Sequence, residues 1–395
     1  MQVLATAAVI AAFAACGADM RPLTASPEPA PVPGNPVTIS IVFGGDVMQH
    51  LPQIHAARRD TAYDFSGTFR YLKPFFDSAD LAVVNLETTL SDKGPYSGYP
   101  LFSAPAQLAT ALRNAGVDAV ALANNHTMDK GRRGVVSTLR ALDDAGLRHT
   151  GVFADSAAYE AASPLIFDIK GVKVALLNYT YGFNGMPVPA GVIANSIDTV
   201  RMAVEIGKAR DRADHTIVFL HWGYEYHRKP NAEQRLLAEW CHGQGVDFVI
   251  GSHPHVLQPL SAEPDSLRGI RRLTAYSLGN LVSNQRLRHQ DGGMLLRLDI
   301  TRRDSLPAHV RASYMLTWVY VTQQKGRREY IILPSPVADT MLSGDRAAKA
   351  AYDTFAADSR ALLRDSLFRE IRYRDPRAGG RVPISDWRNP VSRRE

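Results

Sequence analysis

The chain has 395 residues, 45% of them hydrophobic, with two cysteines and a formal net charge of +6. Its length and apolar content exclude a disordered chain and allow a core without disulfides, while two cysteines exclude a disulfide scaffold or a cysteine-built zinc site. Residues 360–395 hold ten arginines against five acidic residues, so this tail carries most of the net charge, and no nucleic-acid motif accompanies it.

In chain order, residues 3–15 are apolar apart from Thr6 and end at Ala14-Ala15-Cys16-Gly17. The run is shorter than the roughly twenty residues of a membrane span and reads as an export signal. Small residues before a cysteine fit lipoprotein processing, which makes Cys16 the lipidation site and anchors an exported chain to the membrane of the cell envelope. An ordinary cleaved signal, or the end of a longer membrane anchor, fits the same residues. Residues 17–36 are rich in Pro and Ala and read as a linker, residues 37–371 as one domain, and residues 372–395 as a basic tail.

Within the domain, periodicity places strands at 37–43, 81–85, 118–122, 165–169, 173–178, 215–220 and 246–250. They alternate with helical patterns near 67–78, 105–115, 133–145, 198–212 and 231–244, the last with Cys241 on its apolar face, where catalysis is not expected. Consecutive strands follow at 272–277, 293–301, 309–322 and 328–333, then a helix over 344–371. The pattern predicts an α/β sandwich.

Five of the apolar runs end in chemistry. Residues 39–43 run into Gly45-Asp46-Val47-Met48, 81–84 into Asn85-Leu86-Glu87, and 119–122 into Asn124-Asn125-His126-Thr127-Met128-Asp129. Residues 217–220 run into His221-Trp222-Gly223-Tyr224-Glu225, and Val249-Ile250 into Gly251-Ser252-His253-Pro254-His255. Parallel strands deliver such residues to one rim of the sheet. A lone histidine at a strand end is usually structural, but five ends bearing Asp, Glu, Asn or His point to a divalent ion such as Mn, Zn or Fe. Asp129 fits either an orienting partner of His126 or the N-cap of the helix that follows.

In their order these islands resemble the calcineurin-like metallophosphoesterase superfamily, whose blocks are Asp-x-His, a second Asp, Gly-Asn-His, a single His and Gly-His-x-His. The spellings Gly44-Gly45-Asp46-Val47-Met48, Asn85-Leu86-Glu87, Ala123-Asn124-Asn125-His126, His221-Trp222-Gly223 with Glu225, and Gly251 with His253-Pro254-His255-Val256 are similar to its CapA branch of capsule-synthesis proteins. Tyr276-Ser277-Leu278-Gly279-Asn280 extends the likeness, which covers about residues 37–300. The resemblance implies a four-layer α/β/β/α sandwich holding one or two divalent ions. Asp46 and His255 would hold the first, Asn125, His221 and His253 the second, with Glu87 in the bridging place. His126 would protonate a leaving oxygen, and Asp129 would orient it. Met48 stands where the superfamily has a histidine, and Glu87 where it has an aspartate. Both changes belong to the CapA branch and weaken ordinary phosphoesterase chemistry, because a thioether is a poor ligand for such ions.

The candidate substrate contacts are Asn85, Asn124, Trp222, Tyr224, Glu225 and Arg286, as parts of a basic, aromatic-lined cleft suited to an anionic polymer. The favoured function is that of a surface protein supporting synthesis, export or anchoring of a polymer such as poly-gamma-glutamate, with other capsule-synthesis proteins as partners. A metal-dependent hydrolase of phosphoesters or of the polymer, and a non-catalytic polymer-binding module, are the alternatives.

Overall fold

The first three strands are mostly apolar and buried on both faces, as parallel strands covered on both sides must be, while the fourth, at the edge, is polar. In the computed structural model, which describes residues 35–303, 306–324 and 326–371, β1 (Val37–Val47), β2 (Leu81–Leu86), β3 (Ala119–Ala121) and β4 (Arg148–Thr150) pair in parallel in that order. A second group follows: β5 (Leu165–Ile169) and β6 (Val172–Thr180) form a hairpin, then β7 (His215–His221), β8 (Phe248–Ser252) and β9 (Gly269–Ala275) add in parallel. An antiparallel meander of β10 (Gly292–Arg303), β11 (Leu306–Gln324) and β12 (Arg327–Pro334) extends the first group from β1. Among the described residues the two groups meet through one strand pairing, Gly269 with Val310, so the path folds over on itself.

Alternation of side chains then builds three apolar layers. Ile41, Phe43 and Val83 from one group and Leu176, Ile217, Phe219 and Ile250 from the other share an interior core, with the Phe43 and Phe219 ring centroids 6.4 Å apart. On the outer face of the first group, Val42, Val84 and Val120 pack with residues of α1 (Gln107–Asn114) and α2 (Gly131–Asp144). Val218, Leu220 and Val249 do the same with α3 (Thr199–Arg210) and α4 (Ala232–Gly243). The result is the expected α/β/β/α sandwich. Cys241 is buried in the last of these cores, and burial pushes its thiol up to about 12, which removes it as a nucleophile.

Two elements differ from the sequence expectation. The helix expected over 67–78 is two short helices, Ser66–Phe69 and Lys73–Phe76, because Pro74 sits in the first turn of the second and cannot continue the hydrogen bonding of the first. The final helix, α5 (Arg346–Leu362), opens at an Asp345 cap and stops early. The chain beyond it adds Phe368–Glu370 as a parallel strand against β11 and buries Phe368. The export signal, Cys16 and the basic tail 372–395 lie outside the described residues.

Glycines let the site loops pass close to the 276–280 loop. A Cβ on Gly45 would sit 1.9 Å from the Gly279 carbonyl oxygen, and one on Gly251 would sit 2.0 Å from that of Tyr276, approaches only a hydrogen atom tolerates.

Candidate metal centre

Strand register brings the chemistry together. Asp46 is paired with Asn85 across β1 and β2, and His221 with Ser252 across β7 and β8. His255 Nδ1 lies 3.0 Å from Asp46 Oδ2, and His255 Nε2 lies 3.7 Å from Glu87 Oε1. On the other side of Glu87, His221 Nε2 lies 3.5 Å from the same Oε1 and 2.9 Å from Asn125 Oδ1, while His221 Nδ1 lies 2.9 Å from Ser252 Oγ. Asp46, Glu87 and His255 thus form one cluster whose ligand atoms lie within 4.8 Å of each other, and Glu87, His221 and His253 form a second. Glu87 belongs to both. His253 and His255 adopt φ of +96° and +56°, strained values for non-glycine residues that turn the His253-Pro254-His255 loop back over the strand ends.

The electrostatics fit a cation. Burial first, then the neighbouring Asp46, Glu225 and Asp129, hold the Glu87 carboxyl well above the usual range. Burial, with the surrounding imidazoles behind it, holds His221 and His253 well below theirs, so both present neutral lone pairs. Among the described residues no Lys or Arg pairs with Asp46 or Glu87, and Glu87 Oε1 and His253 Nδ1 are buried without a hydrogen-bond partner. Two orphaned donors beside repelling carboxylates are what a divalent ion satisfies.

A carboxyl that binds its proton more tightly in the fold than in the unfolded chain stabilises the fold below its unfolded pKa, and that contribution fades as pH rises through the folded value. Metal-free protein should therefore lose stability as pH climbs above 4.5, the ordinary value of Glu87. Glu87→Gln removes this burden while keeping an oxygen for the Asn85 amide, which lies 3.4 Å away. Chelated Glu87→Gln should melt a few degrees above chelated wild type at pH 8, about 2 °C for each 1 kcal/mol relieved, with the gap closing toward pH 5. Coincident melting curves at pH 8 would show that Glu87 carries no such strain.

Other predicted residues fall into place differently. His126 Nδ1 lies 2.8 Å from Asp129 Oδ2, which also accepts the Phe102 backbone N–H at 2.6 Å, so Asp129 faces the histidine and α2 has no side-chain cap. Asn85 and Asn124 are interior: Asn85 Nδ2 donates to Asp46 Oδ1 at 2.8 Å, and Asn124 Nδ2 donates to the Leu86 carbonyl at 2.8 Å. Trp222 points into the core, its Nε1 donating to the Tyr276 carbonyl, so the expected substrate contact is instead packing. Arg286 is likewise drawn away, donating to the Val319 carbonyl and lying over the Trp318 ring at 5.5 Å. Arg228 and Arg288 bond to Asp358 on α5, so these loop cations too are engaged elsewhere. Tyr224 and Glu225 are exposed at the rim.

Sequence reasoning passed over Ser252, set by register beside His221, and His50. The His50 ring meets Phe102 edge-on at 5.1 Å, as His126 does at 4.6 Å, and burial lowers His50 to about 4. Tyr181 lies 4.6 Å from His253 and stacks over His221, and Tyr226 lies 6.1 Å from His255.

Four layers with carboxylates, an amide and imidazoles at the carboxyl ends of the strands define an α/β/β/α sandwich with a candidate metal centre at one rim. The family model for the bacterial capsule synthesis protein PGA_cap matches residues 40–285, and the chain belongs to that family. It is 31% identical over 266 residues to the capsule biosynthesis protein CapA of Bacillus anthracis, covering 62% of this chain and 60% of that one. It is 29% identical over 255 residues to the PGA biosynthesis protein CapA of Bacillus subtilis (strain 168), covering 62% and 64%. The matches thus span less than two thirds of either relative. A solved Staphylococcus aureus structure described as a 5′-nucleotidase aligns at TM-score 0.44 and 12% identity, over 81% of this chain and 58% of that one.

Proposed function

We propose that this chain supports synthesis, export or anchoring of an anionic surface polymer of the poly-gamma-glutamate type through a divalent-metal centre at the strand ends. The observation that carries this is the pair of buried donor clusters sharing Glu87, in a chain of the capsule synthesis family. Asp46, Glu87 and His255 would hold one ion, and Asn125, His221 and His253, with Glu87 between, would hold a second. A bound ion supplies a Lewis acid for a carboxylate, amide or phosphoryl oxygen. With the loop arginines engaged by α5 and β11, an acidic polymer would be held through the centre itself and the tyrosines around its mouth.

The buried His126–Asp129 pair favours hydrolysis of the polymer or of a phosphoester as a second reading. Its Nδ1 faces Asp129, which leaves Nε2 to move a proton. The test is metal content measured together with turnover of a generic phosphodiester and of poly-gamma-glutamate. Metal-free protein after reconstitution with Zn, Mn and Fe sinks both readings and leaves a binding module. The anchor is a separate proposal resting on residues 1–36: Cys16→Ser should move the protein from the membrane to the soluble fraction, and unchanged partition refutes lipidation.

A further inference from the structure

We propose that Glu225 is a ligand of the metal centre, supplying on the His253–His255 side the donor that Met48 does not. The proposal rests on the reading that the centre binds a divalent ion. Met48 is buried and, where the resemblance would place a histidine, brings a thioether, so the Asp46–Glu87–His255 cluster has three protein donors from three strand ends. Glu225 is exposed at the rim. One of its carboxylate oxygens lies within 4.8 Å of ligand nitrogens of both His253 and His255, and those two lie equally close to each other.

The local backbone explains how an exposed side chain reaches a buried centre. After His221 the chain drives Trp222 into the core, then reverses at Gly223, whose φ is +85° and whose Cβ would strike the Gln234 carboxamide at 2.6 Å. The reversal brings the next residues back over the histidine loop. There the Tyr226 N–H donates to the Pro254 carbonyl at 2.7 Å, fastening the Glu225 segment to the peptide between the two histidines. Tyr226 is itself held from outside by Gln285, whose Nε2 donates to the tyrosine hydroxyl at 3.2 Å. Among the described residues no Lys, Arg or His forms an ion pair with Glu225, whose side-chain partner is the Tyr226 hydroxyl. The neighbouring His253 imidazole, only 3% exposed, keeps an unpartnered Nδ1 in the same space.

The role is narrower than general acidity near a metal, and the test separates the two. Calorimetric titration of the full chain with Mn²⁺ and Zn²⁺ should give Glu225→Gln a dissociation constant raised about tenfold or more for the more weakly held ion, with Glu225→Asp falling between. The visible absorption of the Co²⁺-loaded protein should also change in Glu225→Gln, because its intensity follows coordination number and donor set. Weaker binding with an unchanged Co²⁺ spectrum makes Glu225 a through-space charge and overturns ligation, as does wild-type affinity in Glu225→Gln. Failure of the underlying metal reading looks different: wild type itself then takes up no ion, and His253→Ala has nothing to lose.

Discussion

His253→Ala should bind divalent metal about 100-fold more weakly than wild type, or not measurably, while remaining folded. His253 is common to the cluster with Glu87 and His221 and the cluster with Glu225 and His255, so its removal leaves both incomplete. Loss of a partner that merely orients a ligand costs about 10–100-fold in affinity, and loss of a ligand costs at least that. The fold should tolerate the change. The imidazole Nδ1 has no hydrogen bond to lose, and the backbone N–H that points at Asp46 Oδ2, 3.3 Å away, survives in alanine. The φ of +96° strains histidine and alanine alike, so no new backbone cost enters. Metal analysis after reconstitution, beside a thermal melt of the chelated protein, reads both halves. Equal metal content in His253→Ala and wild type would remove His253 from the ligand set.

How much of this was visible in the chain follows from where each decision is made. β1, β2, β3, β7 and β8 could be read because a strand buried on both faces is a continuous apolar run, and the polar residue that ends it is conspicuous. The depth of that residue was not visible. Asn85 and Asn124 end apolar runs just as Glu87 and Asn125 do, yet register against Asp46 and a bond to the Leu86 carbonyl place them in the interior. Trp222 and Glu225 lie three residues apart on one loop, and only the reversal at Gly223, set by packing against Gln234, sends one inward and the other over the histidines. Arg286 was misplaced because its partners, the Val319 carbonyl and the Trp318 ring, are more than thirty residues ahead. The Phe368–Glu370 strand is a three-residue pairing with β11, too short for any period to show. Pro74, by contrast, was a visible break in a helical pattern whose apolar residues still pack as helices would.

His126→Ala should abolish most of the cellular polymer phenotype without emptying the metal centre, which divides chemistry from binding. His126 is in none of the donor clusters, so metal content should stay near wild type. What the change removes is an imidazole buried beside the centre, close enough for its charge to be felt at His221 and His253 and oriented by a carboxylate at 2.8 Å. A positioned proton donor is worth about 10²–10⁴ in rate, so where the polymer is processed at this site the variant should fall by that factor. Asp129→Asn should fall less, since the imidazole remains but loses the partner that holds its Nδ1 proton. Cells carrying each variant, assayed for polymer amount and attachment with the protein quantified in the same samples, provide the measurement. Turnover of simple phosphoesters by wild type should stay below the kcat/KM of about 10⁴ M⁻¹s⁻¹ that marks a matched substrate. Full polymer production by His126→Ala with metal-binding residues intact would leave the His126–Asp129 pair a structural brace and the centre a holding site. Robust metal-dependent phosphoester turnover, lost in the same variant, would assign the protein to the hydrolases, because only a reacting leaving group needs the proton that His126 is placed to give.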